Sequence, residues 1–474
     1  MSGTIAKVTS GGADLAASVP LEYDPLTGLF SRATLHAHLS MLQARGEHPA
    51  LLALDLDRFQ AVNDSTGIAT GDGVLVRVAK RIASAAPPDA VIARISGDEF
   101  AVIIPNATHG ERVAAHLLDL ISRPFAVNGF AVTLSVSIGL AIAPEHGEDP
   151  DALLRAANIA LHRAEQEGKN RWCRFEPWMQ EQAAGRQVLE TDLRAALAMN
   201  RIELRRTMGV QQFEVYYQPQ VAISTRAVTG FEALVRWRHP TRGMVASGEF
   251  IPLAEEIGLI GLLGDWVLGT ACRAAMTWPE SADGAVTVAV NVSPLQLREG
   301  RSMIGSIANA LATSGLPAHR LEIEITESAL NTDALETLMG IKALGVRLAL
   351  DDFGTGYSSL SQLAQYPFDR LKIDRSFIRA LVPSAHATDD APTPEDLHAR
   401  WMIQAIASLG SGLGLTTVAE GVETEFQAEI VRFSGVTDVQ GYLFDKPMPE
   451  DAVCQWIREH AAYAHTFSPK MENH

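Results

Sequence analysis

The chain has 474 residues, 47% apolar and 20% charged, with a formal net charge of −17. That length exceeds one ordinary hydrophobic core and predicts two to four domains, and the composition is that of a globular rather than a disordered protein. The acidic balance, with no lysine- or arginine-rich stripe, argues against non-specific binding to long nucleic acid, so an anionic small substrate would need local help such as metal ions.

Residues 1 to 20 are rich in Ser, Gly and Ala and lack the basic start and long apolar centre of a signal peptide. They are expected to form a mobile tail, too short for a sensor domain. From Asp24 to about Phe175, strand-like runs (LLALDLD, VIARI, FAVIIP, VTLSVSIGLAI) alternate with helical patterns such as GDGVLVRVAKRIASAA. This predicts an α/β domain over residues 21 to 175. No apolar stretch reaches membrane-spanning length. Cys173, Cys272 and Cys454 are widely separated, match no zinc spacing and are odd in number, which predicts inert thiols in a cytoplasmic protein.

Between 176 and 211 the pattern turns charged, and Leu189, Leu193 and Leu197 recur four apart, predicting a connecting helix. From 212 to about 464, eight apolar runs alternate with helical segments, and most end in a polar residue. In order, the runs carry Gln218, Glu232, Asn291, Glu324, Asp351 with Asp352, Lys372, Glu420 and Gln440. That is the count for a (β/α)8 TIM-like barrel, whose catalytic groups sit at the carboxyl ends of the strands. The insert PSAHATDDAPTPED at 383 to 396 reads as a surface loop, and residues 465 to 474 as a tail.

One of these runs, LALDDFGTGYSSL, poses a physical problem, because adjacent carboxylates at the end of a buried strand repel each other and lose hydration. A helix cap is one answer, and a bound cation is the other. Glu232, Asn291, Glu324, Asp351, Asp352 and Glu420 together offer only oxygen ligands, which suits Mg²⁺ or Mn²⁺ rather than zinc. Two ions are favoured, since Asp351 can bridge while Asp352 serves only the second. Lys372 stands two residues before Asp374, so both are expected to point into the barrel, where Lys372 would orient water, neutralise phosphoryl charge or pair with a rim acid. Arg236 offers a fork for a phosphate or a guanine edge, or is simply a solvated arginine.

The ordered motifs YQP, FEALVRW, NVS, EIEITES, DDFGTGYSSL, LKIDRSFI, AEGVE and QGYLF resemble the EAL domain family of cyclic di-GMP phosphodiesterases. The resemblance implies hydrolysis of cyclic di-GMP to linear pGpG with two Mg²⁺ or Mn²⁺ ions per site. It implies that Glu232, Asn291, Glu324 and Asp351 serve the first ion, that Asp351, Asp352 and Glu420 serve the second, and that Glu232, Lys372, Glu420 and Asp374 form the catalytic set, with Lys372 holding the attacking water. Gln218, Leu234, Arg236, Gln440 and Glu423 match substrate-side or supporting positions. Glu327, Phe353, Gly354, Thr355 and Gly356 match a loop and its anchor that couple the metal site to homodimer contacts through the EAL domain. Asp445 and Lys446 depart mildly from the family pattern, away from the metal set.

Residues 24 to 175 resemble the GGDEF diguanylate cyclase family, whose fold is like that of nucleotide cyclase and polymerase palm domains, through DPLTGLFSR, DLDRFQAVND, ISGDEFAVIIP and EGKNR. Asp55, Asp98 and Glu99 match metal-side positions, and Asn63 and Asp72 match guanine contacts for GTP. Ser96 replaces the first glycine before Gly97, where a left-handed backbone would cost about 1 kcal/mol or more. Gln60, Glu165 and Lys169 replace the usual basic residues around the GTP phosphates, and Pro87 and Ala90 occupy the ends of the absent inhibitory product site. The expectation is therefore a degenerate, regulatory GGDEF domain in front of a phosphodiesterase. A bifunctional enzyme that also makes cyclic di-GMP and a non-catalytic cyclic di-GMP receptor are the alternatives.

Overall fold

The computed structural model describes residues 21–203, 212–281, 284–330, 334–354, 363–381 and 394–464. The expected tails, together with Thr355 and Gly356, lie outside the described residues. The chain divides into two compact units, Met1–Val188 and Leu189–His474.

In the first unit, β1 (Ala50–Asp57) is the centre of a five-stranded sheet with β2 (Val91–Ser96), β3 (Glu99–Ile104), β6 (Ser135–Ile142) and β7 (Trp172–Arg174), in the order β2-β3-β1-β6-β7. A separate hairpin joins β4 (Phe125–Val127) to β5 (Phe130–Val132). The near-continuous apolar run of β1 follows from burial on both faces. Leu52, Leu54 and Leu56 join one core with Val74, Val78, Leu117 and Ile121, whereas Leu51 and Ala53 join the other with Leu35, Leu39, Leu153 and Ala157. Alternation with period two thus feeds two cores from one strand.

In the second unit, β8 (Phe213–Ala222), β9 (Val228–His239), β11 (Thr287–Val292), β12 (Leu321–Thr326), β13 (Arg347–Phe353), β14 (Arg370–Ile373), β15 (Thr416–Glu420) and β16 (Asp438–Gln440) close into an eight-stranded barrel. Short β10 (Gly243–Val245) and β17 (Met448–Pro449) flank it. Seven barrel strands run parallel, but β8 pairs antiparallel with both β9 and β16, so the repeat is not a strict (β/α)8. The reason is local: β8 and β9 are joined by a short hairpin, Ile223 to Ala227, with no crossover helix to reverse the chain. Gln218 therefore faces Glu232 across that hairpin in register.

The helix expected between the domains runs from Pro177 to Glu203. Met179 packs into a core of the first unit, and Leu189, Leu193 and Leu197 pack into the core of the second. Most of the expected insert, residues 383–393, lies outside the described residues, and Pro394 at its end opens a helix that runs to Gly412. Proline at a first helical turn loses no hydrogen bond, so it reads as easily for a helix start as for a loop.

Candidate metal and phosphodiester site

The second unit collects its acids around one buried ammonium. Lys372 is fully buried on β14, with its Nζ 2.7 Å from Glu420 Oε1, 2.8 Å from Glu324 Oε2, 3.1 Å from Asp351 Oδ1 and 4.0 Å from Glu232 Oε1. Burial alone would strip the proton from Lys372, but Asp351, Glu232, Glu324 and Glu420 outweigh it and hold the ammonium well above its ordinary pKa. The carboxylates share one cation unequally. Burial and the neighbouring acids drive Glu324 well above the usual range and push Glu420 up to about 8. Glu232 stays below its ordinary value, because Lys372 and the donors Gln440 and Asn291 outweigh its burial.

Glu232 is held from both sides. Asn291 Nδ2 donates to its Oε1 at 2.6 Å and Gln440 Nε2 donates to its Oε2 at 2.5 Å, while Gln440 Nε2 also reaches Gln218 Oε1 at 3.2 Å. Spending its amide nitrogen on Glu232 leaves Asn291 its carbonyl oxygen, the atom a hard cation takes. Asp352 has φ +54, a left-handed conformation that costs a non-glycine residue about 1 kcal/mol or more, and its N–H donates to Asp351 Oδ1 at 2.9 Å. Oxygen atoms of Asp351, Asp352 and Glu420 lie within 4.8 Å of one another, close enough to share an ion.

Asp374 follows β14 and caps the helix Arg375–Arg379 by accepting from Ser376 N at 3.0 Å through Oδ1. It remains beside Asp352, whose pKa is raised first by burial and then by Asp351 and Asp374. Arg236 is half-buried rather than solvated, and its Nη1 donates to Val235 O at 3.0 Å and Ser247 Oγ at 3.3 Å. Leu234 lines a cavity of about 400 Å³ with Val235, Ile251, Val292 and Pro294 that reaches Asn291. Buried Glu327 accepts from Gly354 N at 3.3 Å through Oε2, which ties Gly354 to the short turn that follows β12. Glu423 is exposed, outside the buried cluster, and its N–H donates to Gln427 Oε1 at 2.8 Å.

Sequence reasoning missed a second tier of polar residues inside the barrel, namely Glu322, Arg370, Asp438 and Gln220, all buried. Each lies two positions from a residue singled out above (Glu324, Lys372, Gln440 and Gln218), so strand periodicity already placed it on the same face.

In the first unit, Asp55 on β1 faces Glu99 on β3 in register. Burial first, then Asp98, Glu165, Glu99 and Asp57, push Asp55 up to about 7. The strain expected at Ser96 is absent. Gly97 and Asp98 form a two-residue hairpin turn in which Gly97 takes the positive φ of +42, and Ser96 ends β2 paired with Glu99, its Oγ donating to Glu99 Oε2 at 2.6 Å. Such a turn needs glycine at its first central position and tolerates a side chain just before it. Asn63 Oδ1 packs where a Cβ on Gly71 would lie, 1.8 Å away, next to Asp72. Asp72 lines a surface cavity of about 410 Å³ with Arg77 and Lys80.

The model of the EAL domain matches residues 201–447, and that of the diguanylate cyclase GGDEF domain matches residues 21–171. The chain belongs to the GGDEF–EAL family. Among curated relatives of this GGDEF–EAL chain, the bifunctional diguanylate cyclase/cyclic di-GMP phosphodiesterase MucR of Pseudomonas aeruginosa is 39% identical over 85% of this chain and 56% of its own. The cyclic di-GMP phosphodiesterase NbdA of the same organism is 36% identical over 95% and 55%. This GGDEF–EAL chain spans about half the length of such relatives. A solved structure of Vibrio cholerae LapD, comprising S helix, GGDEF and EAL and bound to c-di-GMP, shares the fold at TM-score 0.57 and 18% identity, covering 92% of this chain and 98% of that one. No helix among the described residues is long and apolar enough to cross a membrane.

Proposed function

We propose that this chain hydrolyses cyclic di-GMP to linear pGpG in its EAL domain, using two Mg²⁺ or Mn²⁺ ions. The observation that carries this is the ring of acids around Lys372. Four carboxylates, Glu232, Glu324, Asp351 and Glu420, face a single ammonium, and Asp352 stands beside Asp351 and Glu420 as a fifth. Ionised together they would leave four negative charges uncompensated, the charge of two divalent cations. Glu324 is fully buried with Lys372 Nζ 2.8 Å from its Oε2, and that ammonium is shared with Asp351 and Glu420, which leaves acceptor capacity on Glu324 for a cation. The residues thus fit two hard cations, with Glu232, Asn291, Glu324 and Asp351 holding one and Asp351, Asp352 and Glu420 the other. When bound, such ions supply Lewis acidity and a water acidic enough to attack at neutral pH.

The chain's own groups supply the remainder. Lys372 holds the attacking water or offsets charge growing on the phosphoryl oxygens as the P–O3′ bond breaks. Arg236 and the apolar cavity beside Leu234 match an edge and a face of one guanine, with Gln218 and Glu423 at the substrate side. Relatives named as cyclic di-GMP phosphodiesterases support the substrate class. The free cysteines are consistent with a cytoplasmic setting, and Glu327 with Gly354 would couple the site to a homodimer contact of the EAL domain.

Incubation with cyclic di-GMP and Mn²⁺ should yield pGpG. Binding without turnover under either Mg²⁺ or Mn²⁺ would leave the receptor reading in its place. In the GGDEF domain, Glu165 adds negative charge near Asp55, where GTP phosphates would need positive charge, so we assign that domain a regulatory role. A bifunctional enzyme is favoured by the unstrained Ser96 turn with Asp98 and Glu99 kept, and it requires cyclic di-GMP to form from GTP and Mg²⁺.

A further inference from the structure

Beneath the metal cluster lies a buried arginine that the proposed reaction does not use. The Arg370 guanidinium, 4% exposed, sits 3.0 Å from Gln220 Oε1, 3.1 Å from Asp438 Oδ2, 3.2 Å from Thr416 Oγ1 and 3.4 Å from Glu322 Oε1. Gln220 Nε2 then donates to Gln440 Oε1 at 3.1 Å, and Gln440 Nε2 donates to Glu232 Oε2. Four strands contribute to this chain of bonds, and every bond in it points the same way.

The direction is forced by chemistry. A guanidinium has donors only, so Gln220 must present its oxygen to Arg370 and hence its amide N–H to Gln440. Gln440 must accept with its oxygen, which turns its own N–H groups toward Glu232 and Gln218. The acceptor-only Glu232 carboxylate favours the same orientation from the near end, and Arg370 fixes it from the far end, so a half-turn of either glutamine would set like groups against each other along the chain. Space for Gln220 is also reserved: Gly230 is its register partner on β9, and a Cβ there would lie 2.4 Å from Thr287 Oγ1 and 3.3 Å from Gln220 Oε1. A buried ion-pair group is weak evidence for stability, because apolar residues of similar volume often serve a core as well.

We infer that Arg370 is a positioning residue that sets the donor polarity of the Gln220–Gln440 relay and so aims Glu232 at a divalent cation. This rests on the assignment of Glu232 as a metal ligand. Outer partners of this kind typically change metal affinity by about 10-fold to 100-fold.

The test uses Gln220→Met and Gln220→Glu in the full chain, with Mn²⁺ affinity measured by titration calorimetry without substrate. Both substitutions leave Arg370 between Glu322 and Asp438, and both remove the donor to Gln440, but only Gln220→Glu keeps an acceptor for Arg370. Weakening by about 10-fold in both variants is expected. Wild-type affinity in Gln220→Glu, with loss only in Gln220→Met, would mean that Gln220 merely completes the packing around Arg370 and would overturn the relay. Wild-type affinity in both folded variants would overturn it too. If the unsubstituted protein binds Mn²⁺ yet makes no pGpG, the hydrolytic function falls, while weaker binding in both variants would still support the relay.

Discussion

Both units gather acids at the end of a buried strand, and they resolve the repulsion in opposite ways. In the barrel, Lys372 stands inside the cluster and touches Glu324, Asp351 and Glu420 within 3.1 Å. At the end of β1 in the first unit, Glu165 joins the acids around Asp55, whose pKa climbs to about 7. A resident cation lets the barrel keep its carboxylates close in advance of metal. Where the nearby substitution is acidic, the same crowding disfavours the charged form of Asp55 and adds repulsion against a triphosphate.

The contrast can be broken most sharply at Glu232. Glu232→Ala should lower pGpG formation by at least ~10³-fold, as expected for loss of metal-dependent electrostatic stabilisation. Survival of turnover would refute the ligand assignment. Lys372→Met should destabilise the metal-free protein by about 3 kcal/mol, because removing one partner strands the buried carboxylates. Mn²⁺ should restore part of that loss in denaturant unfolding, and an unchanged midpoint without metal would deny Lys372 its role as internal counter-ion.

The acids also predict a pH dependence. Glu420 is raised to about 8 in the folded state from an ordinary 4.5, so the folded protein holds its proton more tightly than the unfolded chain does. Its contribution is full below about pH 4.5 and is lost as pH rises through about 8. In EDTA the melting temperature should therefore fall across that window. Glu420→Gln should flatten the fall, and saturating Mg²⁺ should oppose it; parallel curves for the two proteins would contradict the assigned shift.

In the first unit, Glu165→Lys should raise Mg²⁺–GTP affinity by about tenfold, the size expected when a repulsive contact becomes attractive at a partly exposed site. No change in calorimetry would move the cause of any GTP weakness elsewhere. The smallest effect belongs to Ser96→Gly. With Gly97 already carrying the positive φ, this change should shift unfolding free energy by no more than about 0.5 kcal/mol. A larger gain in stability would show that Ser96 is strained after all.

Much of the site could be read in the sequence because each strand carries its site residue within an apolar run. Glu232, Asn291, Glu324, Asp351, Lys372, Glu420 and Gln440 all came from such runs, and the fold brings them into contact. Local context added what the strand pattern did not show. Asp374 lies one position past the end of β14, where it caps the helix Arg375–Arg379 while staying beside Asp352. Ser96 looked strained because the motif marks two glycines, whereas the hairpin turn uses only the second.

The sequence by itself determined two α/β units, the faces of their strands and the oxygen-rich chemistry of the barrel, since these follow from periodicity and residue type along the chain. Only the tertiary structure decided that β8 runs against its neighbours, that Lys372 rather than solvent neutralises Glu324, and that Arg370 reaches Glu232 through two glutamines. Those facts depend on the stagger of strands around a closed barrel, which sets distances between residues up to 222 positions apart. A strand's own pattern reveals which side chains face inward, and closure reveals which of them meet.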